Sequence, residues 1–385
     1  MYVFVGVKVF SRPSFFPCMA APRIDIFDWL HTNAPKAKYN LAYSNIYGLS
    51  VEEFQRLCGY SLPKDFDLGI NESHGAQELV QTLSDFYHCM VESIVTTTGA
   101  SEANYLVFSS LLTPGDQCII EQPSYQPINL TPEMLGGKLV PWPRRFEDSY
   151  RLDLRNLEAL ITNKTKLIVL TNLHNPSGVW ADRTTIEAIA NVAEAHNAYV
   201  LVDEIYLDGC YRRRSSSFGI PRVIVTSSAT KIYGLGGLHT GWIVAPPEVA
   251  AECQRRKAHT TGSSSFVSEV MTAHALSSAY EKIIERFQGR AQKNLRVLKK
   301  WMYDYQDLLG WVEPDGGIVC FPRYHLSTPS VPLCQRLFDE FGILVNPGTF
   351  FYEEGHFRLS FGIETEMLER ALVALSDALV RFKHQ

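Results

Sequence analysis

A chain of 385 residues, 46% hydrophobic and 20% charged, exceeds one average domain and has an ordinary globular balance, so one large domain with a smaller companion is expected. The formal charge of -5 is small and spread along the sequence, which leaves no electrostatic footprint for nucleic acid or an anionic membrane and favours a small-molecule partner. The eight cysteines form no CxxC pair and no Cys/His ligand spacing, and there is no apolar run of about 18 residues, so a reducing, cytoplasmic compartment, no structural metal and no bilayer span are expected.

Residues 1–18 are aromatic and valine-rich, with Lys8 and Arg12 but no acid before Asp25. Three readings stand: an organellar targeting segment, a start placed ahead of the true one at Met19, or a disordered tail, with the last two preferred. Residues 26–30 read as a short aromatic helix, followed by a polar-aromatic loop over 40–48. Asn71 to Gly75 precedes a helix beginning near Gln77. A β-branched strand at Val95 then runs through Gly99 into a helix with apolar periodicity at Leu106, Val107 and Leu111. A helix amino terminus after a glycine turn offers unpaired N–H groups and a positive dipole end, which suits an anion and equally describes an ordinary capped helix.

Residues 118–122 form a buried strand ending at Pro123, with Tyr125 at the turn where an aromatic ring can stack on a flat ligand. The strand at 166–172 leads into Asn175-Pro176-Ser177-Gly178 and a helix whose Ile186, Ile189, Ala190 and Ala193 share a face. Alternation over 198–206 gives a strand that ends in two acids, Asp203 and Glu204, pointing opposite ways. A buried acid needs a partner. The apolar run 223–226 is a further buried strand, and it delivers Ser228, Thr230 and Lys231 together at a strand's carboxyl end, where open α/β sheets bind ligands. No carboxylate lies near Lys231 in sequence, so it can lose its proton and act as an amine nucleophile toward an aldehyde. A long charged helix after residue 280, strands near 317–321 and 343–345, a short alternating strand carrying Arg358, and a last helix striped with Leu368, Leu372, Leu375 and Leu379 complete the chain.

The order Asn175, Asp203-x-x-Tyr206, Ser228-x-x-Lys231 resembles the fold-type I pyridoxal-phosphate enzymes, and in particular the class I/II aminotransferase family, from about residue 40 to the end. The resemblance implies an α/β fold: a large domain with a mostly parallel seven-stranded sheet between helices, plus a smaller α+β domain. It divides the chain into an N-terminal extension (1–24), an arm (25–50), a large cofactor-binding domain (51–285) and a small C-terminal domain (286–385). It implies pyridoxal 5′-phosphate as cofactor, no metal, amino acid and 2-oxo acid substrates, and a homodimer. Lys231 would hold the cofactor aldehyde as an imine and then move the substrate proton. Asp203 would face the ring nitrogen and keep it cationic. Asn175 and Tyr206 would reach the ring oxygen and Tyr125 would stack on the ring. Ala100, Ser101, Glu102, Ser228 and Thr230 would hold the phosphate. Arg358 would clamp the α-carboxylate, with Asn175 and Asn45 also on the substrate side and Tyr43 and Tyr47 as further candidates from the arm.

Two positions depart from the family pattern. Ile70 replaces a tyrosine that reaches the neighbouring subunit's cofactor phosphate, and it cannot donate a hydrogen bond. His239 replaces a phosphate-pairing arginine; with the phosphate dianion keeping it protonated, it is expected to hold the cofactor less tightly than a guanidinium fork does. The same intermediates can instead lose a β- or γ-substituent or cyclise, and the aromatic arm resembles the capreomycidine synthase-like branch, so a lyase or cyclase is the alternative activity. A non-catalytic protein of this fold is disfavoured by the joint presence of Lys231, Asp203, Asn175, Tyr206 and Arg358.

Overall fold

The computed structural model describes residues 21–212 and 214–384, so the segment 1–18 lies outside the described residues. Its centre is a seven-stranded sheet made of β1 (Ile94–Thr98), β2 (Gln117–Gln122), β3 (Lys138–Pro143), β4 (Thr165–Thr171), β5 (Tyr199–Asp203), β6 (Val223–Ser228) and β7 (Thr240–Val244). The order across the sheet is β1-β7-β6-β5-β4-β2-β3. Strands β6, β5, β4, β2 and β3 pair in parallel, and β7 runs antiparallel between β1 and β6. Parallel strands are covered on both faces, which is why their sequences read as near-continuous Val/Ile/Leu runs. Along β5, Val200 and Val202 pack on one core and Leu201 on the other. The Gly99–Leu111 helix covers the second face with Ala103, Leu106 and Val107; the Arg183–Ala195 helix covers the first with Ile186 and Ile189. Each such fully buried Val, Leu or Ile side chain contributes about 1.5–3 kcal/mol.

Two strands of this sheet escaped the sequence reading. β3 contains Pro141 and Pro143, which argue against a strand, yet β3 lies at the sheet edge, where the missing N–H costs no ladder bond. β7 starts at Thr240 inside the glycine-rich stretch after Lys231, read as loop as far as Trp242; Trp242 is buried in the strand.

The long helix spans Tyr280–Asp304. Its first residue donates through the phenol to Asp208, beyond β5, while Asn294 donates to the carbonyls of Phe361 and Ile363. Past it, Val319–Cys320, Phe357–Ser360 and Asn346–Pro347 form a three-stranded antiparallel sheet backed by the Ser330–Phe341 and Thr365–Lys383 helices. The arm is stitched to this C-terminal part. Tyr39–Asn40 pairs in parallel with Ile343–Leu344, Ser360 N–H donates to the Leu41 carbonyl at 2.8 Å, and Trp29 of the Asp25–Asn33 helix donates to the Val345 carbonyl at 3.0 Å. Among the described residues no helix is long and apolar enough to cross a membrane.

Candidate active site

Strands that run parallel present their carboxyl ends at one edge of the sheet, and the chain places its reactive groups there. Thr171, Asp203 and Thr226 stand side by side at the ends of β4, β5 and β6. Lys231 follows β6, Tyr125 follows β2, and the Gly99–Leu111 helix starts where β1 ends. These elements, the arm and the strand of Arg358 enclose a cavity of about 340 Å³. Twelve residues singled out from sequence line it: Tyr43, Asn45, Ala100, Ser101, Tyr125, Asn175, Asp203, Tyr206, Thr230, Lys231, His239 and Arg358.

Lys231 donates from Nζ to Asn45 Oδ1 at 2.7 Å, a contact that spans 186 residues of sequence. Burial and the nearby Arg358 guanidinium push its ammonium down to about 8, with Asp203 opposing. Asp203 is buried, accepting from Asn104 Nδ2 at 2.8 Å and from the Ile205 N–H at 3.1 Å. Burial pushes its carboxyl up to about 6, and those two donors pull it back. The neighbouring Glu204 points to the opposite face, as strand alternation requires, and accepts from Ser217 N at 2.6 Å and Ser216 Oγ at 2.7 Å. Only Asp203 faces the cavity.

Arg358 is 3% exposed, and no ion pair among the described residues includes it. Its Nη1 donates to Asn175 Oδ1 at 3.0 Å and its Nη2 to the Ala42 carbonyl at 2.9 Å, while Nε has no partner. The guanidinium lies 4.9 Å from the centre of the Phe351 ring. A buried, unneutralised guanidinium with an idle N–H is costly unless an anion completes it. Asn175 is held from behind. Its N–H donates to Thr171 Oγ1 at 2.9 Å, and that hydroxyl donates to Glu121 Oε1 at 2.8 Å. Glu121 is paired through Oε2 with Arg144 at 2.6 Å, both side chains being almost wholly buried. His174 bridges the same turn to Pro123, with Nε2 at 2.7 Å from the Pro123 carbonyl and Nδ1 at 2.6 Å from Ser177 Oγ.

The Gly99–Leu111 helix begins with no side-chain cap, so its first N–H groups are open to an anion. Gly99 has φ +75°, and a Cβ on it would lie 2.8 Å from the His239 ring, so the close approach of helix start and ring needs glycine. Two expected phosphate residues do not bring their side chains to the cavity. Ser228 is fully buried, donating to Thr230 Oγ1 at 2.9 Å and accepting from Thr230 N at 3.1 Å; Thr230 lines the cavity in its place. Glu102 turns away to accept from Thr98 N, Thr260 Oγ1 and Thr261 Oγ1, which leaves only its backbone for the cavity side. From the arm, Tyr43 lines the cavity, whereas Tyr47 lies under Arg290, 5.4 Å from its ring centre.

Sequence reasoning passed over Asn104, Thr171 and the Glu121–Arg144 pair. A usable signal existed for the first: Asn104 falls one turn after Ala100 and Ser101, a polar residue on an apolar helix face. Nothing local marks Glu121 as paired, since Arg144 lies beyond the next helix and strand.

Residues 68–375 match the family model described as aminotransferase class I and II. The chain is 30% identical to capreomycidine synthase of Streptomyces vinaceus over 368 residues, covering 94% of each. It is 26% identical to an aspartate aminotransferase of Thermotoga maritima over 295 residues, covering 75% of this chain and 76% of that one. A solved structure of a PLP-dependent aminotransferase from Streptococcus suis superposes with a TM-score of 0.89 at 30% identity, covering 94% and 99% of the two chains. With the cavity at the strand ends and a match across most of its length, the chain belongs to the aminotransferase class I and II family and is a pyridoxal-phosphate-dependent enzyme.

Proposed function

We propose that the protein moves the amino group of an α-amino acid to a 2-oxo acid with Lys231 as its reactive amine. The observation that carries this is the pairing, in one cavity, of a lysine amine brought down to about 8 with a buried acid and a buried guanidinium lacking an anion. The residues fit the cofactor on grounds of their own. Asp203 is a buried carboxylate with no cation bonded to it, suited to a protonated ring nitrogen. The uncapped helix start and the space kept by Gly99 suit a phosphate. When bound, pyridoxal phosphate supplies an aldehyde for the amino group and a cationic ring that takes up the electron pair released at the substrate α-carbon.

The chain's own groups do the rest. Arg358, with Nε idle and Nη1 steered by Asn175, holds the α-carboxylate and so fixes which bond at the α-carbon faces Lys231. Lys231 as free amine would take the α-proton and return it to the cofactor's aldehyde carbon, and Asn45 accepts from its Nζ from the arm side. Asp203 keeps the ring nitrogen protonated. Asn175 and Tyr206 line the wall expected to meet the ring oxygen. Phosphate contacts fall to the backbone at Ala100, Ser101 and Glu102, to Thr230, and to His239.

We further read the protein as a cytoplasmic homodimer. The dimer rests on the resemblance to the family, and the compartment on the seven described cysteines, which are free thiols suited to reducing surroundings. The lyase or cyclase alternative keeps one specific support, the 30% identity to capreomycidine synthase across 94% of both chains.

Borohydride treatment of the holoenzyme followed by peptide mapping should find the pyridoxyl mass on Lys231; a label elsewhere ends this reading. A panel of amino acids with and without a 2-oxo acid acceptor then separates the activities. Transamination gives no sustained product without acceptor and parallel-line kinetics with it. Steady consumption of the amino acid without acceptor, to keto acid and ammonia by elimination or to a cyclic amino acid by ring closure, establishes the alternative.

A further inference from the structure

Asn104 is a polar side chain of the cavity wall to which the chemistry above gives no task. It sits on the Gly99–Leu111 helix between Ala103 and Leu106, both fully buried, and is itself 8% exposed. An amide in that setting is costly unless both its ends are met. They are: Thr226 Oγ1 donates to Asn104 Oδ1 at 2.6 Å, and Asn104 Nδ2 donates to Asp203 Oδ2 at 2.8 Å. An ionised carboxylate only accepts, so the amide nitrogen must face Asp203, and the Thr226 hydroxyl at the other end holds the amide in that orientation. The sheet register brings the three together. Asp203 and Thr226 are cross-strand neighbours on the face shared by Leu201 and Ile224, the face on which this helix packs.

We infer that Asn104, clamped by Thr226, is the positioning residue for the ring-nitrogen acid: it fixes the Asp203 carboxylate in one orientation and keeps it ionised, so that a single helix serves both the phosphate and the ring nitrogen of the cofactor. This rests on the role given to Asp203 above. Burial alone favours the protonated acid, which cannot hold the ring as a cation. Two N–H donors, one on each oxygen, oppose that. Without Asn104 only the Ile205 N–H remains, one oxygen is left buried and unpaired, and the carboxyl takes up a proton. The helix start and Asn104 are one turn apart on a rigid element, so the spacing between phosphate cradle and acid is set by helix geometry rather than by loop conformation.

The test compares pyridoxal phosphate with an analogue in which C–H replaces the ring nitrogen. Both are titrated by fluorescence, near neutral pH, into cofactor-free wild type, Asn104→Leu and Thr226→Val. Wild type should prefer pyridoxal phosphate by about tenfold or more, the size of a charge-assisted hydrogen bond. Asn104→Leu should lose most of that preference while binding the analogue as wild type does, and Thr226→Val should fall between them. Carbon-13 NMR of the cofactor-free proteins should show the Asp203 carboxyl titrating higher in Asn104→Leu. Equal weakening of both ligands, or an unchanged preference, overturns the inference. If wild type itself ignores the ring nitrogen, the role of Asp203 fails and this inference falls with it. Should Asn104→Leu not fold, Thr226→Val, which keeps the volume, carries the test.

Discussion

The two halves of the cavity are built by different means. The half made by the sheet carries Thr171, Asp203, Lys231 and the helix after Gly99, each placed by the strand that precedes it and rigid because the strands are buried on both faces. The half made by the arm and the C-terminal strand carries Asn45, Ala42 and Arg358, and it meets the first half inside the cavity through Asn45 to Lys231 and Arg358 to Asn175, and outside it through Leu49 N–H to the Gly234 carbonyl, Ser124 N–H to the Phe351 carbonyl and Ile26 N–H to Gln126. Rigid strand ends suit groups that must stay put through proton transfers. A wall that carries a buried guanidinium with an idle N–H suits the grip on the substrate carboxylate. The sheet side therefore governs the chemical step, and the arm side governs substrate grip.

That contrast can be broken in graded ways. Asp203→Ala removes the acid of the sheet side and should lower kcat about a thousandfold with little change in KM, in the range seen for loss of a group that stabilises developing charge; an equal loss in KM would place Asp203 in substrate binding. Arg358→Ala on the arm side should cost kcat/KM for α-amino acids about a hundredfold, yet hardly alter turnover of an amine lacking the carboxylate. If both donors suffer alike, the guanidinium is not a carboxylate clamp.

The pH dependence separates two groups within the sheet side. Only the neutral amine adds to an aldehyde, so the rate at which cofactor-free protein captures pyridoxal phosphate should climb about tenfold per unit of pH and level off above about 8, where Lys231 is deprotonated. A climb continuing to pH values near those of free lysine would show that the cavity does not perturb the amine. In the acid range a second group adds to the loss in the same direction. The cofactor-free fold holds Asp203 protonated below about 6, so affinity for the cationic ring should fall as pH drops through that value.

Smaller effects sharpen the boundary between the halves. Asn45→Ala frees Nζ from the arm and should lower kcat about tenfold by loosening the amine. His239→Arg should slow cofactor loss during dialysis by a few-fold, since a guanidinium fork replaces an imidazole at the helix start; identical losses in the two proteins would remove His239 from the phosphate contacts.

The sheet side was the legible side. Strand periodicity of two told Asp203 from Glu204, apolar runs located β4, β5 and β6, and the glycine before Ala100 located the helix start. Each of these rests on interactions within a few residues. Ser228 shows where local reading stops even there: its spacing to Lys231 fits a phosphate contact, and its hydroxyl meets Thr230, a contact that a list of residues does not reveal. β3 was lost because Pro141 masks a strand whose edge position is a property of the whole sheet.

By itself, then, the sequence determined which groups stand at the strand ends and in what order, because turn chemistry and side-chain alternation act locally. Only the tertiary structure decided what those groups touch: Asn45 on the Lys231 amine, Arg358 on Asn175, Asn104 between Thr226 and Asp203, and Glu121 with Arg144 beneath Thr171. Those pairs join residues far apart in the chain. What selects them is the satisfaction of buried polar groups once the core has closed, a condition that no local stretch of sequence expresses.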